Sequence, residues 1–190
     1  MREAVVKTES VASYEQYWYR VEGSDHTLID VKACHDAHII LTESVQNFDK
    51  VYEIALGINR NEESQIRQAR QSGAVVVVDT PDILHCNESR MFWIRWADTR
   101  IAVGSGAVVG VGQFMDWQRE SPPNILYVGL QTGWSASGEW TIRNVEGNYD
   151  VITVINDVII VTLFVEPALT YITPSEATSS YNQVWMTPVT

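Results

Sequence analysis

The sequence predicts an all-β protein, an antiparallel β-sandwich with a C-terminal β-hairpin extension. Three observations predict it. Apolar residues recur at every second position along most of the chain, β-branched and aromatic residues crowd those runs, and Gly, Pro, Asn and Asp separate them. Many short strands with regular turns between them make a sandwich or a barrel rather than an open sheet.

The elements follow in chain order. "TLIDVKACHDAHIILTE" alternates around Val31, Ala33, Ala37, Ile39 and Leu41, and "VYEIALGI" puts Tyr52, Ile54, Leu56 and Ile58 on one face. "NEESQIRQARQSG" reads as a polar strand. A helix capped by Asn61 and ended by Gly73 is the competing reading, but Ile66 and Ala69 alone make no buried stripe. In "MFWIRWAD", Phe92, Ile94 and Trp96 share one face while Trp93 and Arg95 share the other. Trp96 and Trp140 fall in phase with apolar neighbours and are expected in the core. "NILYVGL" and "EWTIRNV" continue the pattern. "DVITVINDVIIVTLFVEP" reads as two strands turning at Asn156-Asp157. Residues 1–143 are expected to form the sandwich and 144–190 the extension. Both faces of the extension's strands are apolar, so residues 150–187 are expected to build a homo-oligomer.

Composition removes several function classes. A hydrophobic fraction of 45% fits a globular chain, and a net charge of −11 argues against nucleic acid and anionic membrane surfaces. No run is long and apolar enough to insert into a membrane. "MREAVVKTES" lacks the apolar core of a signal peptide, and an extracellular setting is nevertheless the favoured expectation. Cys34 and Cys86 are too few for a disulfide scaffold or a four-cysteine zinc site; Cys34 is either a half-buried thiol or one half of a Cys34–Cys86 bridge. The four histidines show no metal-ligand spacing, so no metal is expected. Asn87-Glu88-Ser89 is a glycosylation acceptor triplet of a kind that often arises by chance.

The segments "VKACHDAHIILTE", "YEIALGINRNEESQIRQARQ", "TPDILHCNESRMFWIRWADTRIAVGSG" and "ILYVGLQTGWSASGEWTI", in that order, resemble the farnesoic acid O-methyltransferase domain family from about Tyr14 to Ile142. The chain departs from the family at His35, where Asn is usual, and at "GAVVGVGQF", where the link is usually tighter. The segment order also resembles, at the level of fold, jelly-roll sandwiches of the legume-lectin and galectin kind. The family name implies methyl transfer to a sesquiterpenoid acid. A class I methyltransferase holds S-adenosylmethionine in a strand–glycine loop–helix unit. Gly104, Gly106, Gly110 and Gly112 have no G-x-G-x-x-G spacing and precede no amphipathic helix, so they read as a strand-to-strand loop and no cofactor is expected.

Candidate site residues come from alternation and side-chain chemistry. Asp36 and His38 share a strand face, about 7 Å apart. They suit hydrogen bonds to a sugar, a shared metal or a buried polar network. No nucleophile elbow is present, and Cys34 and His35 point to opposite faces, so no catalytic set is expected. Trp93 with Arg95, Trp134, and Glu139 beside Trp140 pair an indole with charge, the combination that stacks on a sugar ring and holds its hydroxyls. Arg67 is the further candidate on the polar face. The ligand-binding set is therefore Asp36, His38, Arg67, Trp93, Arg95, Trp134 and Glu139. The function expected is a non-enzymatic, lectin-like carbohydrate-binding module with a glycan or small polar partner. The alternatives are a self-associating adhesion module and a sesquiterpenoid-acid methyltransferase.

Overall fold

The computed structural model describes residues 4–10, 17–45 and 51–143, together with the backbone of strands at 149–155, 158–164 and 186–187. Two antiparallel sheets face each other. The six-stranded sheet runs, in spatial order, β1 (Ala4–Thr8), β12 (Gly138–Arg143), β3 (His26–Ala33), β8 (Arg90–Ala97), β9 (Arg100–Ser105) and β10 (Gln113–Gln118). The nine-stranded sheet runs β15 (Met186–Thr187), β14 (Val158–Phe164), β13 (Tyr149–Ile155), β2 (Tyr17–Arg20), β11 (Tyr127–Thr132), β4 (Ala37–Thr42), β5 (Val51–Gly57), β6 (Glu63–Arg67) and β7 (Ala74–Asp79).

Period-2 alternation builds the core between the sheets. Ile29, Val31, Phe92, Ile94, Trp96, Ile101, Val103, Trp140 and Ile142 point inward from one sheet and meet Ile39, Leu41, Ile54, Leu56 and Ile66 from the other. Trp96 and Trp140 sit there as expected. Polar links are few and paired. The Trp140 indole N–H donates to Thr8 Oγ1 at 2.8 Å, and Thr8 and Thr132, both fully buried, share a hydroxyl hydrogen bond of 2.9 Å between the sheets.

The polar segment after Ile58 is a strand only over Glu63–Arg67, and residues 68–73 leave the sheet. Before it lies a single left-handed turn, with positive φ at Asn59, Arg60 and Asn61 and the Glu62 N–H donating to Ile58 O at 3.1 Å. Such conformations cost energy in non-glycine residues and persist where neighbours hold them. The Asn61 side chain supplies that hold: its Nδ2 donates to Leu84 O at 2.9 Å and its Oδ1 accepts from Leu84 N–H at 3.1 Å. Cys34 and Cys86 form a disulfide that ties the β3–β4 turn to the loop before β8 across 52 residues.

The C-terminal hairpin is present as backbone, with β13 and β14 in register from Tyr149↔Phe164 to Ile155↔Val158. It joins the nine-stranded sheet through β2. The expected turn at Asn156-Asp157 and the side chains of residues 150–187 lie outside the described residues.

Candidate ligand site

The outer face of the six-stranded sheet is built from the residues that alternate with the core. From β8 it takes Trp93 and Arg95, from β3 Leu28, and from β9 Ala102 and Gly104. The Trp93 ring lies on Gly104: a Cβ there would come within 2.3 Å of the indole, so the position requires glycine. The indole N–H donates to Val111 O at 2.8 Å, and Val109 packs on the cluster of Leu28, Trp93 and Ala102. The glycine-rich connection between β9 and β10 thus covers Trp93, which is only 1% exposed. The expectation that the Trp93 indole stacks on a sugar ring is corrected accordingly, since the ring is covered. Alternation fixes which face a residue takes, and a loop decides whether that face is covered.

Beside this apolar floor opens a cleft of about 440 Å³, lined among others by Trp93, Arg95, Asp98, Arg100, Gln113 and Asp116. Its charged walls are ordered by ion pairs. Arg95 Nε donates to Asp25 Oδ2 at 3.3 Å, and His26 Nδ1 lies 2.7 Å from Asp25 Oδ1. The His26 hydrogen bond, with a smaller share from Arg95, outweighs burial and holds the Asp25 carboxyl below its ordinary range. Arg100 meets Asp116 with two N–H groups, from Nε at 3.0 Å to Oδ1 and from Nη2 to Oδ2, and this fork raises the guanidinium further. Arg95 and Arg100 both remain about half exposed and keep donors for a ligand.

His38 and Arg67 lie on the other sheet, whereas Asp36, expected to share a strand face with His38, sits in the turn before β4 with positive φ. On the outer face of that sheet His38 Nδ1 lies 3.1 Å from Glu53 Oε1, and Glu53 Oε2 accepts from Arg67 Nη1 at 2.9 Å and from the Gln71 N–H at 3.0 Å. Arg67 Nε also donates to Gln65 Oε1 at 2.8 Å. At the far end of this chain, His38 Nε2 is 3.9 Å from Asp36 Oδ1, and Asp36 Oδ2 is 2.7 Å from His35 Nδ1. Burial alone would push His38 down; the hydrogen bonds and charges of Asp36 and Glu53 together exceed it, and the imidazolium is favoured. Glu53 and His38 are buried, so these residues form a linked ionic network inside the protein surface.

The end of the sandwich beside Asp36 is conformationally strained. Seven of the nine described non-glycine residues with positive φ gather there: Asp36, Asn59, Arg60, Asn61, Asp82, Trp134 and Ser135. Gly133 N–H donates to Asp36 O at 3.1 Å, and Trp134 beyond it is 74% exposed. Glu139 is on the outer face of the six-stranded sheet, held by Lys32 at 3.3 Å and Lys7 at 3.5 Å; the Lys32 hydrogen bond leads in keeping its carboxyl below the ordinary range.

The seven expected site residues are therefore not one site. Trp93 and Arg95 share the cleft, Asp36, His38 and Arg67 share the buried network, and Trp134 and Glu139 stand apart. His38 cannot join Trp93 and Arg95, because β4 and β8 lie in opposite sheets, and Asp36 stays beside His38 in the turn before β4. Alternation along one strand carries no information about which sheet that strand enters. Sequence reasoning missed Asp98, Arg100, Gln113 and Asp116 in the cleft and Glu53 in the network. Glu53 did leave a signal, as a lone acid inside the apolar strand "VYEIALG". Among the described residues, no three His, Cys, Asp or Glu side chains are grouped to hold a metal ion, and no helix is long and apolar enough to cross a membrane.

A sequence profile of the family described as farnesoic acid 0-methyl transferase matches residues 12–146. The chain belongs to the farnesoic acid 0-methyl transferase family. No curated protein matches it. Similar solved structures include a β-1,3-1,4-glucanase (lichenase) from a mouse hindgut metagenome, with TM-score 0.46 and 10% identity over 74% of this chain and 78% of that one. The carbohydrate binding module CBM66 from Bacillus subtilis gives TM-score 0.43 and 9% identity over 73% and 78%. The Caenorhabditis elegans galectin LEC-6 gives TM-score 0.41 and 7% identity over 73% and 90%. Likeness at this level says nothing about what this chain binds.

Family membership overturns one expectation. The sequence reading held that the chain is not an enzyme, yet the family to which it belongs is named for a methyl transferase. That expectation is withdrawn. The farnesoic acid 0-methyl transferase name implies a methyl donor such as S-adenosylmethionine. The glycine run Gly104–Gly112 joins two antiparallel strands, β9 and β10, with no helix after it. These residues do not fit that donor's strand–loop–helix cradle.

Proposed function

We propose that the chain recognises carbohydrate at the cleft beside Trp93. The observation that supports this most is the lining itself, with two guanidiniums, two carboxylates and a carboxamide around an apolar floor. A sugar ring presents hydroxyls that both donate and accept, with C–H faces between them. Planar charged groups already fixed by neighbours meet such hydroxyls at little ordering cost. A glycan array on the purified chain, followed by calorimetry on the best hit, tests the reading. Arg95→Ala is expected to weaken binding by about 1.5–3 kcal/mol, the worth of a charge-assisted hydrogen bond, and Asp116→Asn to weaken it as well. Full affinity in both variants moves the site to Trp134 and Glu139; an array without hits ends the carbohydrate reading.

A second reading, association of copies through the extension, is favoured by the edge of β14. That strand pairs with β13 along its length, and among the described residues β15 meets its other edge at Ile159 and Ile160 alone. An open strand edge is a template for another chain. Light scattering on the full chain at tens of micromolar is expected to show an oligomer, and a monomer ends this reading.

A further inference from the structure

We infer that Asn87 is a site of N-linked glycosylation. Asn87-Glu88-Ser89 is the chain's only N-x-S/T triplet. A triplet alone is weak, but three features of the fold act in its favour. First, β7 ends at Asp79 and β8 begins at Arg90, so the triplet lies in the connection, and residues 86–90 are all exposed. No ladder hydrogen bond has to break for an enzyme to draw this backbone into its own site. Second, the backbone N–H groups of Asn87 and Glu88 both donate to His85 Nδ1, at 3.2 and 3.1 Å. The loop is thus organised through its main chain, and the Asn87 carboxamide and Ser89 hydroxyl have no hydrogen-bond partner among the described residues.

Third, the residue before the triplet is Cys86, disulfide-bonded to Cys34. Disulfides form and persist in oxidising compartments such as the endoplasmic reticulum lumen, the compartment in which asparagine glycans are attached in eukaryotes. The reaction takes the Asn87 amide nitrogen to the anomeric carbon of a lipid-pyrophosphate-linked oligosaccharide. The N–C1 bond forms, the C1–O bond to pyrophosphate breaks, the lipid pyrophosphate departs and the amide loses one proton. The glycan stands at the start of β8, whereas Arg95 lies five residues further on, roughly 17 Å along an extended strand.

The test is expression of the full chain behind a cleavable secretory leader in a eukaryotic cell. Whole lysate and medium are both analysed with and without peptide N-glycosidase. One glycan is expected, seen as a single mobility shift that the glycosidase removes while converting Asn87 to aspartate. The shift disappears in Asn87→Gln and, independently, in Ser89→Ala, which keeps the asparagine; both residues are exposed, so neither change disturbs the core. Wild-type chain that migrates identically before and after the enzyme overturns the inference, as does a glycosidase-sensitive shift that survives Asn87→Gln.

Discussion

His38 and Glu53 show what single residues contribute. A protonated His38 stands between two carboxylates, Asp36 and Glu53, and with Arg67 offsets their charge. The folded protein raises the His38 pKa above its ordinary value of about 6.5. The folded state therefore holds the proton more tightly than the unfolded state. Its stabilising share is complete below the unfolded value and declines as pH rises through the higher folded value. Urea midpoints measured across that window are expected to fall for the wild type, and to fall less for His38→Gln. Glu53→Ala leaves Arg67 and the Gln71 N–H without their acceptor and is expected to cost about 3–5 kcal/mol, read from the same midpoints. The pairing of His38 with Glu53 could not be read from the sequence. It depends on the register between β4 and β5, which sets His38 opposite Ala55 and Ile40 opposite Glu53, and register is a property of two strands at once.

Elements were more legible than their partners. The alternation of Phe92, Ile94 and Trp96 assigns the inward face of β8 correctly, because one buried face imposes a period of two on any strand. The connection between β9 and β10 was legible as a loop but not as a cover, since glycines reveal freedom and not destination. Gly104→Ala drives a Cβ into the Trp93 ring and is expected to displace the indole and destabilise the fold by about 1–3 kcal/mol, with a change in near-ultraviolet circular dichroism. The same loop predicts that calorimetry with S-adenosylmethionine shows no one-to-one binding; a micromolar isotherm defeats the reading of the glycines. The disulfide closes 52 residues, a loop whose loss of chain entropy is worth about 4 kcal/mol. Reduction is expected to lower the urea midpoint correspondingly. The two cysteines left both a thiol and a bridge open, because spacing along the chain does not say that the loop before β8 returns to the β3–β4 turn.

At the scale of the whole molecule, sheet membership interleaves the two ends of the sandwich. The first strand pairs with the twelfth, Ala4 opposite Ile142 and Thr8 opposite Gly138, and β12 in turn separates β1 from β3. A ribosome delivers residues in order, at roughly 5–20 per second. The opening strand therefore waits roughly 7–30 seconds for its partner to emerge, given that pace. For that interval Val5, Val6, Ile29 and Val31 belong to unfinished sheets, and no N-terminal fragment ending before Gly138 has a complete six-stranded sheet. Nascent chains stalled at successive lengths are expected to resist protease only once Arg143 has cleared the exit tunnel. Protein synthesis is thus the phase in which this fold is most exposed to misassembly, and a chaperone bound to the growing chain would protect its first strand until the twelfth arrives.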